Sequence, residues 1–506
     1  MSKTLRGGRL KSKRTDVAEF TSSIKDDARL ADAVIDINKA HVVMLTEQKI
    51  IKPQDASKLL KALTTKLDLR MDASSEDVHM AIEEAILEDV EPEVGGNLHI
   101  AKSRNDQVVT AIRMELRKKI LDLMFSVLQV QESLADTAEK HYGTVILEYT
   151  HLQPAQPVTF AHYLLSRFDA LERDLQRLKG AYTRVNLCPM GAGALATTSF
   201  LINRERVAEL LGFEALIENS IDAVGSRDFI LETIAVLTIT SVNLSQLAED
   251  LIVWSSPDYG VVELPDDFTS TSSMMPQKKN PEVSEVIRAR ASHVLGNFVA
   301  AAAILKGLPS TYNLDFQEVT PELWKALESV GSSLKMIALL IPELKVQPGV
   351  TDKSQKSFIA ATEVANTLVR KYGVPFRSAH KIVGALVKEL VDDQKTFLDT
   401  TPLLIEEIAK KTTGIILKIN DSDIKESVDP IKIVESHDVT GGPAPSTVKE
   451  ALIARKKNMV ENKSNVAELK HKLEEAKKTL DSTAKSISVG KISENGRFKN
   501  SERMVE

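Results

Sequence analysis

One cysteine, Cys188, stands in 506 residues. A single thiol closes no intramolecular disulfide, so a reducing, cytoplasmic setting is expected. Its surroundings, Val185-Asn186-Leu187-Cys188-Pro189, are mainly apolar and point to a buried thiol rather than a nucleophile. Glycine (22) and proline (18) are scarce, below the roughly 7% and 5% of ordinary chains. No apolar run of about eighteen residues occurs and no apolar signal core opens the chain, so a soluble protein without a membrane partner is expected. The net charge of −6 gives no support to general nucleic-acid binding. No His-Glu-x-x-His, paired cysteines, EF-hand, Walker loop or dinucleotide fingerprint is present. Neither metal nor cofactor is therefore expected, and the chemistry rests on side chains alone.

What is present favours helix. Hydrophobic residues make up 43% of the chain, enough for a large core, and Ala, Leu, Glu and Lys are plentiful. Ile24, Leu30, Val34, Ile37, His41 and Leu45 recur at helical spacing, and Lys52-Pro53-Gln54-Asp55 opens a further helix. A long helix is predicted from about Asn105 to His141, through Val108, Ile112, Leu116, Ile120, Leu123 and Val127. Others follow Thr159, begin near Asp228 and run past Val253, and start at Pro281. The expected fold is all-α: an elongated central bundle of long helices with smaller N- and C-terminal helical domains. The divisions expected are 1–104, 105–360, 361–455 and 456–506. From the end of the third division into the last, Leu452, Met459, Val466, Leu473 and Leu480 repeat every seven residues, a stripe that suits either packing along its own domain or oligomerisation. Beyond Ser488 the composition reads as disordered, and Lys3, Arg6, Arg9, Lys11, Lys13 and Arg14 form a basic arm at the other end.

Three polar clusters interrupt the helical pattern. Thr269-Ser270-Thr271-Ser272-Ser273-Met274-Met275-Pro276-Gln277-Lys278-Lys279 leads into Asn280-Pro281-Glu282, which reads as an Asn-capped helix start with Pro at its first position. Hydroxyls and cations at such a terminus suit an anionic ligand, with an ordinary capped helix as the bland alternative. The two methionines argue against a merely exposed loop. Ser103-Arg104-Asn105-Asp106-Gln107 heads the longest helix, and Tyr149-Thr150-His151-Leu152-Gln153-Pro154-Ala155-Gln156-Pro157 is an extended segment pinned by prolines. A histidine, hydroxyls and lysines without a cofactor point to general acid–base work on an anionic substrate.

These clusters, in this order, resemble the fumarase/aspartase superfamily of lyases. Ser272-Ser273-Met274-Met275-Pro276-Gln277-Lys278-Lys279-Asn280-Pro281 is similar to the signature of the argininosuccinate lyase family. Gly307-Leu308-Pro309-Ser310-Thr311-Tyr312-Asn313 and Asp315-Phe316-Gln317-Glu318 match that family too, and the resemblance spans about residues 5–455. It implies reversible elimination of argininosuccinate to arginine and fumarate. By the resemblance, Ser272 is the base, Lys278 stabilises the aci-carboxylate, His151 is the other acid–base group or its relay, and Glu285 pairs with that histidine. Ser23, Arg104, Asn105, Thr150, Asn280, Tyr312 and Gln317 are implied substrate contacts, with Asp27 and Arg227 secondary. The family also implies a homotetramer whose sites combine segments of different subunits. Thr271 replaces the family's usual glycine, Thr320 replaces a lysine many members carry, and the tail has no assigned counterpart. A related fumarate-releasing lyase (adenylosuccinate or aspartate type) and an inactive crystallin-like relative are the alternatives.

Overall fold

Long helices form where apolar residues recur at helical spacing, and here that pattern carries the helix through Gly180, Gly296, Pro321 and Gly331. In the computed structural model, which describes residues 14–65, 67, 69, 75–347 and 357–490, five such helices build the central bundle. They are Arg104–Lys140, Phe160–Val185, Asp228–Ser255, Glu282–Leu305 and Phe316–Leu340. Ion pairs and hydrogen bonds fix their directions. Arg288 on the 282–305 helix meets Glu249 near the end of the 228–255 helix at 2.6 Å, so those two run antiparallel. Ser133 donates to Ala338 O at 2.8 Å, setting the 104–140 and 316–340 helices parallel. Ile112, Leu116, Ile120, Leu123 and Val127 all lie in the core, as their spacing predicts.

The chain is mostly helical, but one antiparallel hairpin matters. Val145–Thr150 pairs with Gln153–Thr159, Val145 opposite Thr159, at the far end of the 104–140 helix. The proline-pinned segment is its second strand, and Thr159 caps the next helix by accepting from His162 N at 3.1 Å. The helices of 31–47, 53–64 and 78–89 cover the start of the bundle. A second, separate core gathers Leu368, Ile382, Leu386, Ile405 and Ile433 within the helices of 361–436. The 228–255 helix is long and apolar enough to cross a membrane, yet half of its most apolar window is buried inside the bundle.

The heptad stripe has an unexpected partner. Pro445–Ser488 is one helix of 44 residues, and it leaves the small C-terminal core to run back along the bundle. Leu452, Met459, Val466 and Leu480 are buried in the main core, and Leu473 packs half-buried beside them. Lys456, Lys463 and Lys470 reach Asp136 (3.0 Å), Glu132 (2.6 Å) and Asp122 (2.8 Å) on the 104–140 helix. Lys477 then pairs with Asp36, Asp481 with Lys39 at 3.0 Å, and Ser57 donates to Ser488 O at 2.7 Å. The stripe therefore closes an intramolecular seam against the bundle and the N-terminal helices, not against its own domain. Most of the basic arm and the end of the tail lie outside the described residues.

Candidate active site

The motif residues fall at two ends of the bundle. At one end, the chain before the 31–47 helix is stitched to the residues ahead of the 78–89 helix. Ser23 N donates to Glu76 O at 3.0 Å, and Ser22 Oγ to Ser75 O at 3.2 Å. Ser23 Oγ donates to Asp27, and Gln317 Nε2 ties the 316–340 helix to Thr21 O at 3.2 Å. Arg104 opens its helix with Nη1 2.5 Å from Asp77 Oδ1 and Nη2 3.5 Å from Glu83 Oε2. Tyr312 shares the field of Asp77, Asp27 and Arg104. Asn105 Nδ2 donates to Ala194 O at 3.1 Å. Burial raises the Asp27 carboxyl to about 7, Ser23 opposing it and Asp77 and Asp26 adding to the rise. Arg227 lies under this cluster with its guanidinium 4.2 Å from the Phe316 ring. It is 2% exposed, so it supports the cluster and offers no open face. Asp77 was not among the expected residues. Only its place as cap of the 78–89 helix, accepting from Met80 N at 2.7 Å, marks it in sequence.

The other motif residues sit beyond the opposite end of the same helices. The 270–280 segment is a hairpin in which Ser270 pairs with Asn280 and Thr271 with Lys279. This corrects the expected helix start. Asn280 is a strand residue, its Nδ2 3.5 Å from Ser270 Oγ, and the helix begins at Glu282 after Pro281, without a side-chain cap. Extended pairing has taken the backbone that a cap would need. Thr271 is therefore a strand residue at the loop's base. Inside the loop, Ser272 Oγ accepts from Met274 N at 3.3 Å and Met275 N at 3.1 Å. Lys279 is held by Asp266 at 2.6 Å and Glu263 at 3.4 Å, whereas Lys278 is exposed with no ion pair among the described residues. Met274, 81% exposed, contradicts the expectation that two methionines mean a covered loop within one chain.

Thr150 and His151 stand at the exposed tip of the 145–159 hairpin, where His151 and Leu152 adopt φ of 56° and 59°. Such a left-handed pair is unusual without glycine and holds the ring out from the tip. Tyr259, just past the 228–255 helix, donates to Leu152 O at 3.4 Å. Glu285 is exposed on the first turn of its helix, and no contact joins it to His151 among the described residues. The expected His151–Glu285 pair is thus not made within one chain. Thr320 is 4% exposed and donates to Phe316 O at 3.3 Å, so no cation replaces the missing lysine there.

Helix length separates the two ends. Arg227 precedes and Tyr259 follows a helix of 28 residues, which spans about 42 Å at 1.5 Å per residue. The 282–305 helix likewise leads from the Ser272 loop back to the Tyr312 loop, where Gly225 abuts the Thr311 backbone. One chain therefore brings Ser23, Arg104, Asn105, Tyr312 and Gln317 to one end, and Thr150, His151, Ser272, Lys278, Asn280 and Glu285 to the other. Among the described residues no cluster of metal-ligating side chains occurs. A groove of about 670 Å³ between the 104–140 and 316–340 helices holds none of these residues.

Comparison with known proteins agrees with the motifs. Residues 11–296 match the lyase family, and residues 358–435 match the argininosuccinate lyase C-terminal family. The argininosuccinate lyase of Methanocaldococcus jannaschii is 45% identical over 455 residues, covering 88% of this chain and 93% of its own. That of Methanosarcina mazei is 41% identical over 467 residues, covering 91% and 94%. Among solved structures, EDDS lyase in complex with formate superposes with a TM-score of 0.84 at 30% identity, covering 94% of this chain and 95% of its own. Class II fumarase from Schistosoma mansoni shares the fold, with a TM-score of 0.68 at 15% identity over 84% and 96%.

Proposed function

The chain belongs to the argininosuccinate lyase family, a family of carbon–nitrogen lyases, and from that premise we propose how its residues divide the elimination of argininosuccinate to arginine and fumarate. Ser272, as the alkoxide, takes a proton from the succinyl CH₂ beside a carboxylate. The electron pair left on carbon is delocalised into that carboxylate as a dianion, which Lys278 stabilises. Collapse of the dianion forms the fumarate double bond and breaks the C–N bond, with the electrons passing to the guanidino nitrogen. His151, directly or by relay and oriented by Glu285 of another subunit, returns a proton to that nitrogen. Arginine then leaves as the guanidinium, and one proton has moved from carbon to nitrogen.

The observation that carries this reading is the environment of Ser272. Two N–H groups point at its oxygen, and the one unpaired lysine of the loop follows it. Donors aimed at an oxygen favour its anionic form, which a serine base requires. Among the described residues, none donates to the neighbouring Ser273 in this way. Ser23, Arg104, Asn105, Tyr312 and Gln317 bind the substrate, Asp27 and Asp77 drawing its cationic groups, while Thr150 and Asn280 reach it from other subunits.

A complete site needs more than one chain, because about 42 Å of helix separates the two sets of residues. The 282–305 helix supports this. Of its 24 residues only Ser284, Ile287, Val294, Asn297 and Ala301 are buried, while Val286, Leu295 and Val299 are 48–57% exposed. Ile239 and Val242 extend the apolar face onto the 228–255 helix. Such a face marks an interface between copies, and a homotetramer with shared sites is the arrangement proposed. A single cysteine, buried and free, fits a cytoplasmic location. The test is purified protein with argininosuccinate, adenylosuccinate and aspartate, followed by fumarate absorbance, with sedimentation run in parallel. Release of fumarate only from adenylosuccinate or aspartate would overturn the substrate, and an active monomer would overturn the shared site.

A further inference from the structure

The elimination gives no role to the buried carboxylate beside the Asn105 motif position. Asp106, next in chain to Asn105, is 0% exposed, yet both its oxygens are engaged. Oδ1 accepts from Ser103 N at 3.0 Å, and Oδ2 accepts from Gly191 N at 3.1 Å and Gly193 N at 2.8 Å. Ser103 alone is a helix cap. The two glycines come from a turn some 85 residues away that contributes nothing to the cap.

That turn is shaped for a carboxylate. Gly191 and Gly193 have φ of 85° and 63°, and their two N–H groups converge on one oxygen in the manner of an anion-binding nest, while the Ala192 N–H between them donates to Pro189 O at 3.2 Å. Side chains have no room there. A Cβ at Gly193 would lie 2.5 Å from Thr197 O, and one at Gly191 2.7 Å from Arg204 Cγ. Arg204 grips the turn from outside, donating Nε to Met190 O at 3.1 Å and Nη2 to Ile217 O at 2.9 Å. The turn is thus held by its N–H groups from within and by its carbonyls from without. Directly after it, Ala194 O accepts from the Asn105 amide. A carbonyl can face only a donor, so this contact fixes which end of the Asn105 side chain points away from the turn.

We propose that Asp106 and the 190–194 turn form a latch that presets the Asn105 amide, holding Nδ2 on Ala194 O and offering Oδ1 to an N–H group of the substrate. Asp106 is a positioning residue and touches no reacting atom. The latch rests on the reading of Asn105 as a substrate contact, and the test separates the two.

Steady-state kinetics with argininosuccinate are compared for the assembled wild type, Asp106→Asn, Gly193→Ala, the double variant and Asn105→Ala. Asp106→Asn sets an amide N–H against a backbone N–H, and Gly193→Ala pushes the turn off Thr197. Each is expected to raise KM about tenfold, the scale of one charged hydrogen bond, with kcat little changed. The double variant should be no worse than the poorer single, because both open one latch. Unchanged KM in a folded Asp106→Asn, with only a lower Tm, would reduce Asp106 to a structural carboxylate and overturn the proposal. Additive effects in the double variant would do the same. If Asp106→Asn does not assemble, Gly193→Ala decides by its KM alone. Unchanged KM in Asn105→Ala would remove the substrate contact and the latch with it. A raised KM there, beside unchanged KM in both latch variants, would sink the latch only.

Discussion

The two ends of the bundle treat charge in opposite ways. Around Arg104 the exposed-side groups are paired within the chain: Asp77 and Glu83 hold the guanidinium, Asp27 holds Ser23, and Thr21 O holds Gln317, while the buried Arg227 beneath them leaves Nε and Nη2 without a hydrogen-bond partner among the described residues. Around Ser272, by contrast, Lys278, His151 and Glu285 stand in solvent without side-chain partners among the described residues. Burying charge without partners costs several kcal/mol, so a pre-shaped pocket must come already paired. Groups left in solvent carry no such cost in the single chain. One end is organised by its own chain, and the other, under the proposed shared site, is the one a neighbour would complete.

Removing the base tests that contrast most severely. Ser272→Ala should assemble normally and lose about 10²–10⁴-fold in kcat, whereas Ser273→Ala should stay near wild type. The reverse pattern in stopped-flow or steady-state assays would move the base to Ser273. Next comes the lysine pair. Lys278→Met should cost about 10²-fold in kcat with KM little changed, because the dianion exists only in the transition state. Lys279→Met, which breaks only exposed ion pairs with Asp266 and Glu263, should cost far less. Equal losses for the two would mean that the pairing seen in one chain does not distinguish them.

The tail seam sharpens the comparison from the side of stability. Leu480→Ala, at a position 1% exposed, should destabilise by about 2–5 kcal/mol. Lys463→Ala, which removes a half-exposed ion pair, should barely move the melting curve. A larger shift from Lys463→Ala would give the lysine ladder, and not the apolar stripe, the main role.

The smallest expected effect is one of pH. Asp27 sits at about 7 in the folded chain against an ordinary 3.8. Between those values the folded state keeps a proton that the unfolded state has lost, so this group's contribution to stability falls as pH rises. Cationic substrate groups prefer the carboxylate, so KM should fall as pH rises through about 7, and Asp27→Asn should flatten both trends. Parallel pH profiles for the two proteins would assign the titration elsewhere.

Local spacing made much of this legible. The Ile112–Val127 periodicity announces a buried helix face, and Ser272 to Lys278 announces a polar loop ahead of a helix. What stayed hidden depends on contacts distant in sequence. Asp77 meets Arg104 across 27 residues and Asp106 meets Gly191 across 85, and no local pattern records either. Asn280-Pro281 has the composition of a helix cap, but pairing with Ser270 gives it extended backbone instead. The stripe from Leu452 to Leu480 was visible, yet a heptad does not say which surface it covers.

That last helix has a consequence for how the molecule is made. Residues 445–488 are synthesised near the end of the chain, yet they cover a furrow formed by residues 31–140. The 304 residues between Lys140 and Pro445 take roughly 15–60 s to translate at 5–20 residues per second. For that interval the nascent bundle carries an uncovered apolar furrow edged by Asp122, Glu132 and Asp136, which stays open to solvent until the 445–488 helix has been made and folds back across it.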